Sequence, residues 1–357
     1  MKKKSRILLW TVLALLAIGT LAAFNFYGTF YYNNVKEGEN PRDVRIYRSF
    51  TYDQLLDAVR QTGVIDNEMT FLRAARFLKL RENFRPGYYR LKPGMGNKAL
   101  VRMFSKGWQQ PVRLVVPGYF RNLDFFADFL GEQLEADRDA FATALNDPAT
   151  AARYGFDAQN FIGMFIPNTY EVWWTVTPDE FLERMNKEYE KFWSGSRDEK
   201  ARVIGLTRQQ VSTLASIVIE ETKNEPEMPR VAGVYMNRLH RDMPLQADPT
   251  VIFAVGEPGL KRVLNRHLEI DSPYNTYKYA GLPPGPITMP PVAAIDAVLN
   301  YEYHDYLYFC ANDSFDGRHA FAKTLSAHNE NARRYQRALS REMAASRAQS
   351  GNRPSNP

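Results

Sequence analysis

Residues Ile7 to Phe24, "ILLWTVLALLAIGTLAAF", carry no charge and follow directly on the basic start "MKKKSR". A helix of that length is about long enough to cross a bilayer, and in water its apolar circumference would have nothing to pack against. A cleaved signal peptide has a shorter apolar core of about 7–15 residues and a small-x-small exit. This run is longer and leaves through the aromatics of "FNFY". The expectation is therefore an uncleaved transmembrane helix over residues 7–27 behind a cytoplasmic basic tail, residues 1–6, with Lys2, Lys3, Lys4 and Arg6. Basic flanks stay on the cytoplasmic side. The chain is thus expected to be a single-pass protein of the cell inner (cytoplasmic) membrane, its bulk outside the cytoplasm and periplasmic.

Beyond the anchor the sequence is of ordinary globular character. The 357 residues are 45% hydrophobic and 24% charged, room for two or three folded units besides the anchor. The formal charge is +6, but lysines and arginines are scattered through mixed-charge segments with no basic block, which speaks for solvated faces and against a nucleic-acid partner. The single cysteine, Cys310, excludes an internal disulfide framework, and its place in "YLYFC" reads as a buried small hydrophobe.

Residues 44–110 read as a compact module. "VRIYR" alternates as a strand, "TYDQLLDAVRQTGV" opens on Thr51 as N-cap, and "NEMTFLRAARFLKL" has helical spacing. "RPGYYRLKPGMGNKALVRMFSKG" then gives turn, strand, Pro-Gly turn and a further helical segment. Tyr88 and Tyr89 are expected exposed near a turn, where aromatic faces suit sugar rings, although tyrosines on a strand also serve as core. Residues 111–340 read as a larger α+β unit, in which Asn168 and Tyr170 of "FIPNTY" are candidates either to line a cleft or to complete a turn and core. From Ala345, "ASRAQSGNRPSNP" (residues 345–357) is expected to be a disordered tail.

Within the larger unit, "TRQQVSTLASIVIEET" carries a Thr-x-x-Gln capping box at Thr207 and Gln210. Val211, Leu214, Ile217 and Val218 mark one helical face, and Glu221 continues it at the helix end, four residues after Ile217. Glu220 falls toward Thr213 and Ser216 and is expected to be wet. A carboxyl against an apolar wall has its pKa raised, which suits a general acid near neutral pH. An inward glutamate held by a backbone amide, or by Arg230 or Arg238, is the structural alternative, and the helix alone leaves both open. Downstream, "MPLQADPTV" gathers Gln246, Asp248 and Thr250, and "SPYNTYKYAGLPPGPI" gathers Tyr274, Asn275, Thr276 and Tyr277. Loops of amides, hydroxyls and aromatics suit a saccharide and also occur as plain connectors.

The blocks "LASIVIEET…VAGVYMNRL", "LQADPTV", "YNTYKYAGLPPGPI" and "YLYFCANDSFDGRHAFAKTLSAHN", in that order, resemble the endolytic murein transglycosylases of the YceG-like family over most of residues 111–335. The resemblance implies an α+β fold: an N-terminal transmembrane helix, a small module similar to LysM over 44–110, and a larger catalytic domain with its glutamate at a helix end. It implies a lyase that cleaves the β-1,4 bond between N-acetylmuramic acid and N-acetylglucosamine in nascent glycan strands, leaves 1,6-anhydro ends and limits strand length. Glu221 takes the position of the family's catalytic glutamate, in agreement with the helical-face argument. Two positions depart from the family's pattern: Asn168 stands where aspartate is common, and "VVPGYF" lacks the glutamate often found after the proline and glycine.

The expected substrate-contacting set is Gln246, Asp248, Tyr274, Asn275, Thr276 and Tyr277, with loop stabilisation an equal reading for Gln246, Asn275 and Thr276. Asp248 is either a second carboxylate or a turn and helix-start residue. No cofactor or metal is expected: the sequence has no His-Glu-x-x-His, Gly-x-Ser-x-Gly or phosphate-loop pattern, and no two of its five histidines have metal spacing. Peptidoglycan glycan strands, the cytoplasmic membrane and cell-wall synthesis proteins are the expected partners. A noncatalytic glycan-binding scaffold and a muramidase using Asp248 with water are the other readings.

Overall fold

The computed structural model describes residues 2–38, 40–257, 259–260 and 263–351, with side chains from residue 6 to residue 344 within those ranges. Secondary structure is mixed α and β, and the chain divides into two units.

The first unit holds Met1–Leu114 together with Gln133–Asp137 and Tyr170–Thr177. It opens on α1 (Lys2–Tyr31), in which Arg6–Tyr31 is long and apolar enough to cross a membrane by length and composition. The helix extends past residue 27 because Phe30 joins the core of this unit. β1 (Arg42–Ile46) pairs antiparallel with β2 (Gly87–Leu91), placing Val44 opposite Tyr89. Between them run α2 (Tyr52–Gln61), α3 (Glu68–Phe77) and a single helical turn, Leu80–Asn83, and α4 (Asn97–Lys106) comes after β2. Thr51 and Gln54 form the capping box that starts α2. Alternation turns Val44, Ile46, Tyr89 and Leu91 inward, each burial contributing about 1.5–3 kcal/mol. Tyr89 therefore departs from the expectation of exposure: it is fully buried, and its hydroxyl donates to the Arg85 carbonyl at 2.9 Å. Tyr88, on the opposite strand face, is half-buried and donates to Asp43, which also takes Arg90 Nε at 2.7 Å.

β3 (Pro111–Val116) and β4 (Asn168–Trp173) carry the chain between the units, so residue 110 is not a clean boundary. The second unit holds Val115–Glu132, Arg138–Thr169 and Pro178–Pro357. Its helices are α5 (Leu123–Gln133), α6 (Arg138–Asn146), α7 (Pro148–Arg153), α8 (Pro178–Trp193), α9 (Ser196–Val203), α10 (Arg208–Glu221), α11 (Met228–Leu239), α12 (Asp248–Val255) and α13 (Val292–Leu299), besides single turns. A hairpin of β5 (Tyr308–Ala311) and β6 (His319–Ala322) and the long α14 (Leu325–Gly351) complete it. α14 continues past Ala345, the expected start of a disordered tail, because Ala344, Ala345, Arg347, Ala348 and Gln349 are strong helix formers. Residues 352–357 of that expected tail lie outside the described residues.

α10 is the centre of this unit, packed by α11, α12 and α13. Periodicity predicts one inward face, yet Val211 to Ile219 are all buried. Two of the three polar residues there are bonded within the core: Thr213 Oγ1 donates to the Gln209 carbonyl at 2.9 Å, and Ser216 Oγ donates to Thr213 O and accepts the Ile287 amide at 3.0 Å, whereas the buried Ser212 hydroxyl has no partner among the described residues. That last bond anchors the "GLPPGPI" loop to the helix. A Cβ on Gly285 in this loop would lie 2.0 Å from the Gln159 carbonyl oxygen, so only glycine lets the backbone approach so closely.

Candidate active site

α10 begins at the Thr207/Gln210 capping box and stops at Glu221. Thr222 turns to φ −141°, ψ 136°, Pro226 blocks continuation, and Lys223 Nζ reaches back to the Ile219 carbonyl at 2.7 Å. The last side chain of the helix is therefore a carboxylate at the negative end of the dipole, a placement that disfavours its charge. Glu221 is enclosed by protein apart from its opening to a cavity of about 350 Å³, and its Oε1 accepts the Tyr235 hydroxyl at 2.7 Å. Burial, as the largest cause, pushes its pKa up to about 7; the nearby Asp248 adds to this, while the Tyr235 hydrogen bond and the Arg238 charge pull the other way. Burial and the Glu221 carboxylate push Tyr235 well above the ordinary tyrosine range, so its hydroxyl remains the donor.

Neither Arg230 nor Arg238, the two candidate structural partners for Glu221, takes that role. Arg230 pairs with Glu302 at 3.0 Å, and Arg238 is directed to the carbonyls of Leu307, Pro244 and Leu245 and to Gln246 Oε1. Glu220 is less wet than expected: its side chain is 19% exposed and is held by Arg121 at 3.3 Å and Lys223 at 3.4 Å. One residue's turn of the helix separates a carboxyl tied to cations from one facing the cavity.

Of the six loop residues expected to contact substrate, three line this cavity: Gln246, Asp248 and Tyr277. Tyr277 donates to Asp248 Oδ1 at 2.6 Å, and Asp248 also opens α12, so its helix-start role is real and its carboxyl still faces the cavity. Asn275 and Thr276 are interior. Asn275 Nδ2 donates to the Leu268 and Ile270 carbonyls, each at 2.8 Å, and Thr276 Oγ1 bonds the Ala247 amide at 3.0 Å and Thr250 Oγ1 at 2.8 Å. They hold the two loops that present Gln246 and Tyr277. Tyr274 packs on Phe253, ring centroids 4.7 Å apart, and does not line the cavity; burial pushes its hydroxyl up to about 12. Asn168 is exposed and Tyr170 buried, and neither lines it.

Sequence reasoning gives no site role to Tyr235 or Tyr308 and reads His319 and His328, within the terminal "YLYFCANDSFDGRHAFAKTLSAHN" block, as structural; all four are on the cavity wall. Tyr235 and Arg238, at i and i+3, share a face of α11, a detectable signal once that helix is known to pack against α10. Cys310 also lines the cavity and is half-buried, not core; burial raises its pKa and keeps the thiol protonated. His328 stacks on Tyr308 at 5.5 Å, and burial lowers its pKa. A second cavity of about 440 Å³ adjoins Glu221 from the side of Lys223, Asn312 and Arg318 and shares Glu221, Ala311 and His319 with the first.

A family model described as the YceG-like family matches residues 44–334, spanning both units. The chain belongs to the YceG-like family. This YceG-like chain is 28% identical over 322 residues to the endolytic murein transglycosylase of Bacillus subtilis (strain 168), covering 84% of itself and 86% of that relative. It is 30% identical over 314 residues to the endolytic murein transglycosylase of Streptococcus pneumoniae serotype 2 (strain D39), covering 76% of itself and 54% of that longer protein. It thus spans about half the length of the pneumococcal relative. The crystal structure of a YceG-like protein from Listeria monocytogenes is similar at a TM-score of 0.54 and 28% identity, over 82% of this chain and 99% of that one.

Proposed function

We propose that the protein is a membrane-anchored endolytic lytic transglycosylase of peptidoglycan, with Glu221 as its acid and base. The observation that carries this is the enclosed Glu221 carboxyl, its pKa raised to about 7, at the junction of two cavities. Space on both sides of the acid suits a glycan strand that runs past it, as internal cleavage requires. Protonated Glu221 gives its proton to the glycosidic oxygen as the C1–O bond of the muramyl unit breaks through an oxocarbenium-like state. The resulting carboxylate takes the proton of the C6 hydroxyl as that oxygen bonds to C1. No external water is consumed, and the proton balance returns Glu221 to its starting state. Tyr235 steadies the carboxylate between the two transfers, and Gln246, Asp248 and Tyr277 are positioned to contact sugar hydroxyls or acetamido groups.

Purified uncrosslinked glycan strands, with products resolved by mass, test the reading. Anhydro ends, lighter than reducing ends by one water, are expected. Reducing ends would instead favour a muramidase, for which Asp248 on the same cavity wall is the available second carboxylate, and intact strands would favour a noncatalytic scaffold.

The first unit's antiparallel β1–β2 pair with α2, α3 and a further helical turn between the strands supports a LysM-like reading of residues 44–110, whose role would be to capture polymeric glycan and limit strand length by retention near the membrane. The basic start and α1 support single-pass anchoring in the cytoplasmic membrane, among the cell-wall synthesis proteins, with the C-terminus outside. A reporter active only in the cytoplasm, fused after Pro357, is expected to stay silent. Signal from it would reverse the topology.

A further inference from the structure

Glu227 is 8% exposed, and both of its oxygens meet His319: Oε1 accepts the backbone N–H at 2.9 Å and Oε2 lies 2.7 Å from Nδ1, while Thr222 Oγ1 also donates to Oε2 at the longer distance of 3.5 Å. Burying a carboxylate is costly unless its hydrogen bonds compensate, and the first of these bonds alone would tie the Glu225–Glu227 turn to β6. The second adds nothing to that tie. Its effect is on the ring: facing a carboxylate oxygen, the neutral imidazole carries its proton on Nδ1 and leaves Nε2 as an acceptor. Phe309, edge-on at 5.2 Å and 85°, flanks the imidazole. Nε2 has no protein partner among the described residues and is not sealed off, and His319 lines both cavities together with Glu221.

We propose that His319 is a substrate-positioning residue, its Nε2 accepting a hydrogen bond from an amide N–H or hydroxyl of the saccharide unit seated against Glu221. N-acetylated sugars offer both donors. The proposal rests on the glycan-cleaving reading, but its test does not need turnover.

In the Glu221→Gln background, affinity for uncrosslinked glycan strands is measured by titration calorimetry. Adding His319→Ala is expected to weaken binding about tenfold, the contribution of one hydrogen bond at the upper end of its usual range. His319→Gln, whose Oε1 can also accept, recovers part of the loss. Glu227→Gln can donate to Nδ1 and move the ring proton to Nε2, so it is expected to weaken binding with His319 still present, and ¹⁵N shifts of the imidazole report that tautomer exchange. Equal glycan affinity with and without His319→Ala, or an Nε2-protonated ring in the unsubstituted protein, overturns the role of His319. Should His319→Ala fail to fold, His319→Gln and the tautomer decide the same question. A Glu221→Gln parent that binds no glycan overturns the glycan reading itself, and this proposal with it.

Discussion

Glu221→Gln is expected to keep the fold and glycan binding and to remove nearly all formation of 1,6-anhydro ends. Glutamine is close to isosteric and can accept from Tyr235 as Glu221 does at 2.7 Å. It can neither give a proton to the leaving oxygen nor collect one from the C6 hydroxyl. General acid–base groups contribute about 100- to 10,000-fold, and one residue serving both transfers places the loss at the upper end of that range or beyond. Glu220→Gln is the control, because that carboxyl is committed to Arg121 and Lys223 and does not line the cavity of about 350 Å³. Exposed and half-exposed ion pairs contribute little, so the control should lose less than about threefold. Product analysis at matched thermal stability separates the outcomes. A dead Glu220→Gln beside an active Glu221→Gln would refute both the geometry and the assignment.

The same burial sets a pH dependence of both activity and stability. With Glu221 as the proposed acid, kcat/KM for glycan should fall about tenfold per pH unit above a bend at about 7, and Glu221→Gln should lose that limb along with the activity. For stability the sign is that of a raised carboxyl. The folded pKa of about 7 lies above the unfolded value of 4.5, so the stabilisation is fully present below 4.5 and is lost as pH rises through about 7. The loss is on the order of 3 kcal/mol. Glu221→Gln should accordingly melt higher than the parent at pH 8 and close to it at pH 5.

Glu221 is legible in sequence because a helix converts spacing into direction: four residues from Ile217 and three from Val218 point it inward, whatever it meets there. What it meets is not legible. Tyr235 lies on another helix and His319 on a hairpin, and single-sequence periodicity carries no information about which elements pack together. The polar loops are legible as a group, but not by residue. Asn275 and Thr276 look as apt for sugar as Gln246 and Tyr277, and differ only in that tertiary structure turns their polar atoms onto the backbone of neighbouring loops. Tyr89 shows the same limit on a smaller scale: strand alternation separates the two tyrosines, yet only the position of the core says which of them is inside.

Arg238 binds those loops together, and its replacement is expected to have the largest effect on stability. It is 7% exposed; its Nε donates to the Leu307 carbonyl at 2.7 Å, and its Nη1 to the carbonyls of Pro244 and Leu245 at 3.1 and 2.9 Å. One planar fork thus ties α11 to the approach to β5 and to the "MPLQADPTV" loop that carries Gln246 and Asp248. Arg238→Met keeps much of the stem's packing but strands buried carbonyls, at a cost of about 3–5 kcal/mol, read as a fall in the denaturation midpoint. Arg238→Lys keeps the charge on a single rotatable ammonium that cannot reproduce the fork, so about half of that loss is expected to remain. The pair also separates scaffold from electrostatics. Arg238's charge lowers the pKa of Glu221, so under conditions where both variants stay folded, Met should move the alkaline limb of activity to higher pH and Lys should leave it in place. Identical limbs in the two variants would show that the arginine acts on the site only through the loops it holds.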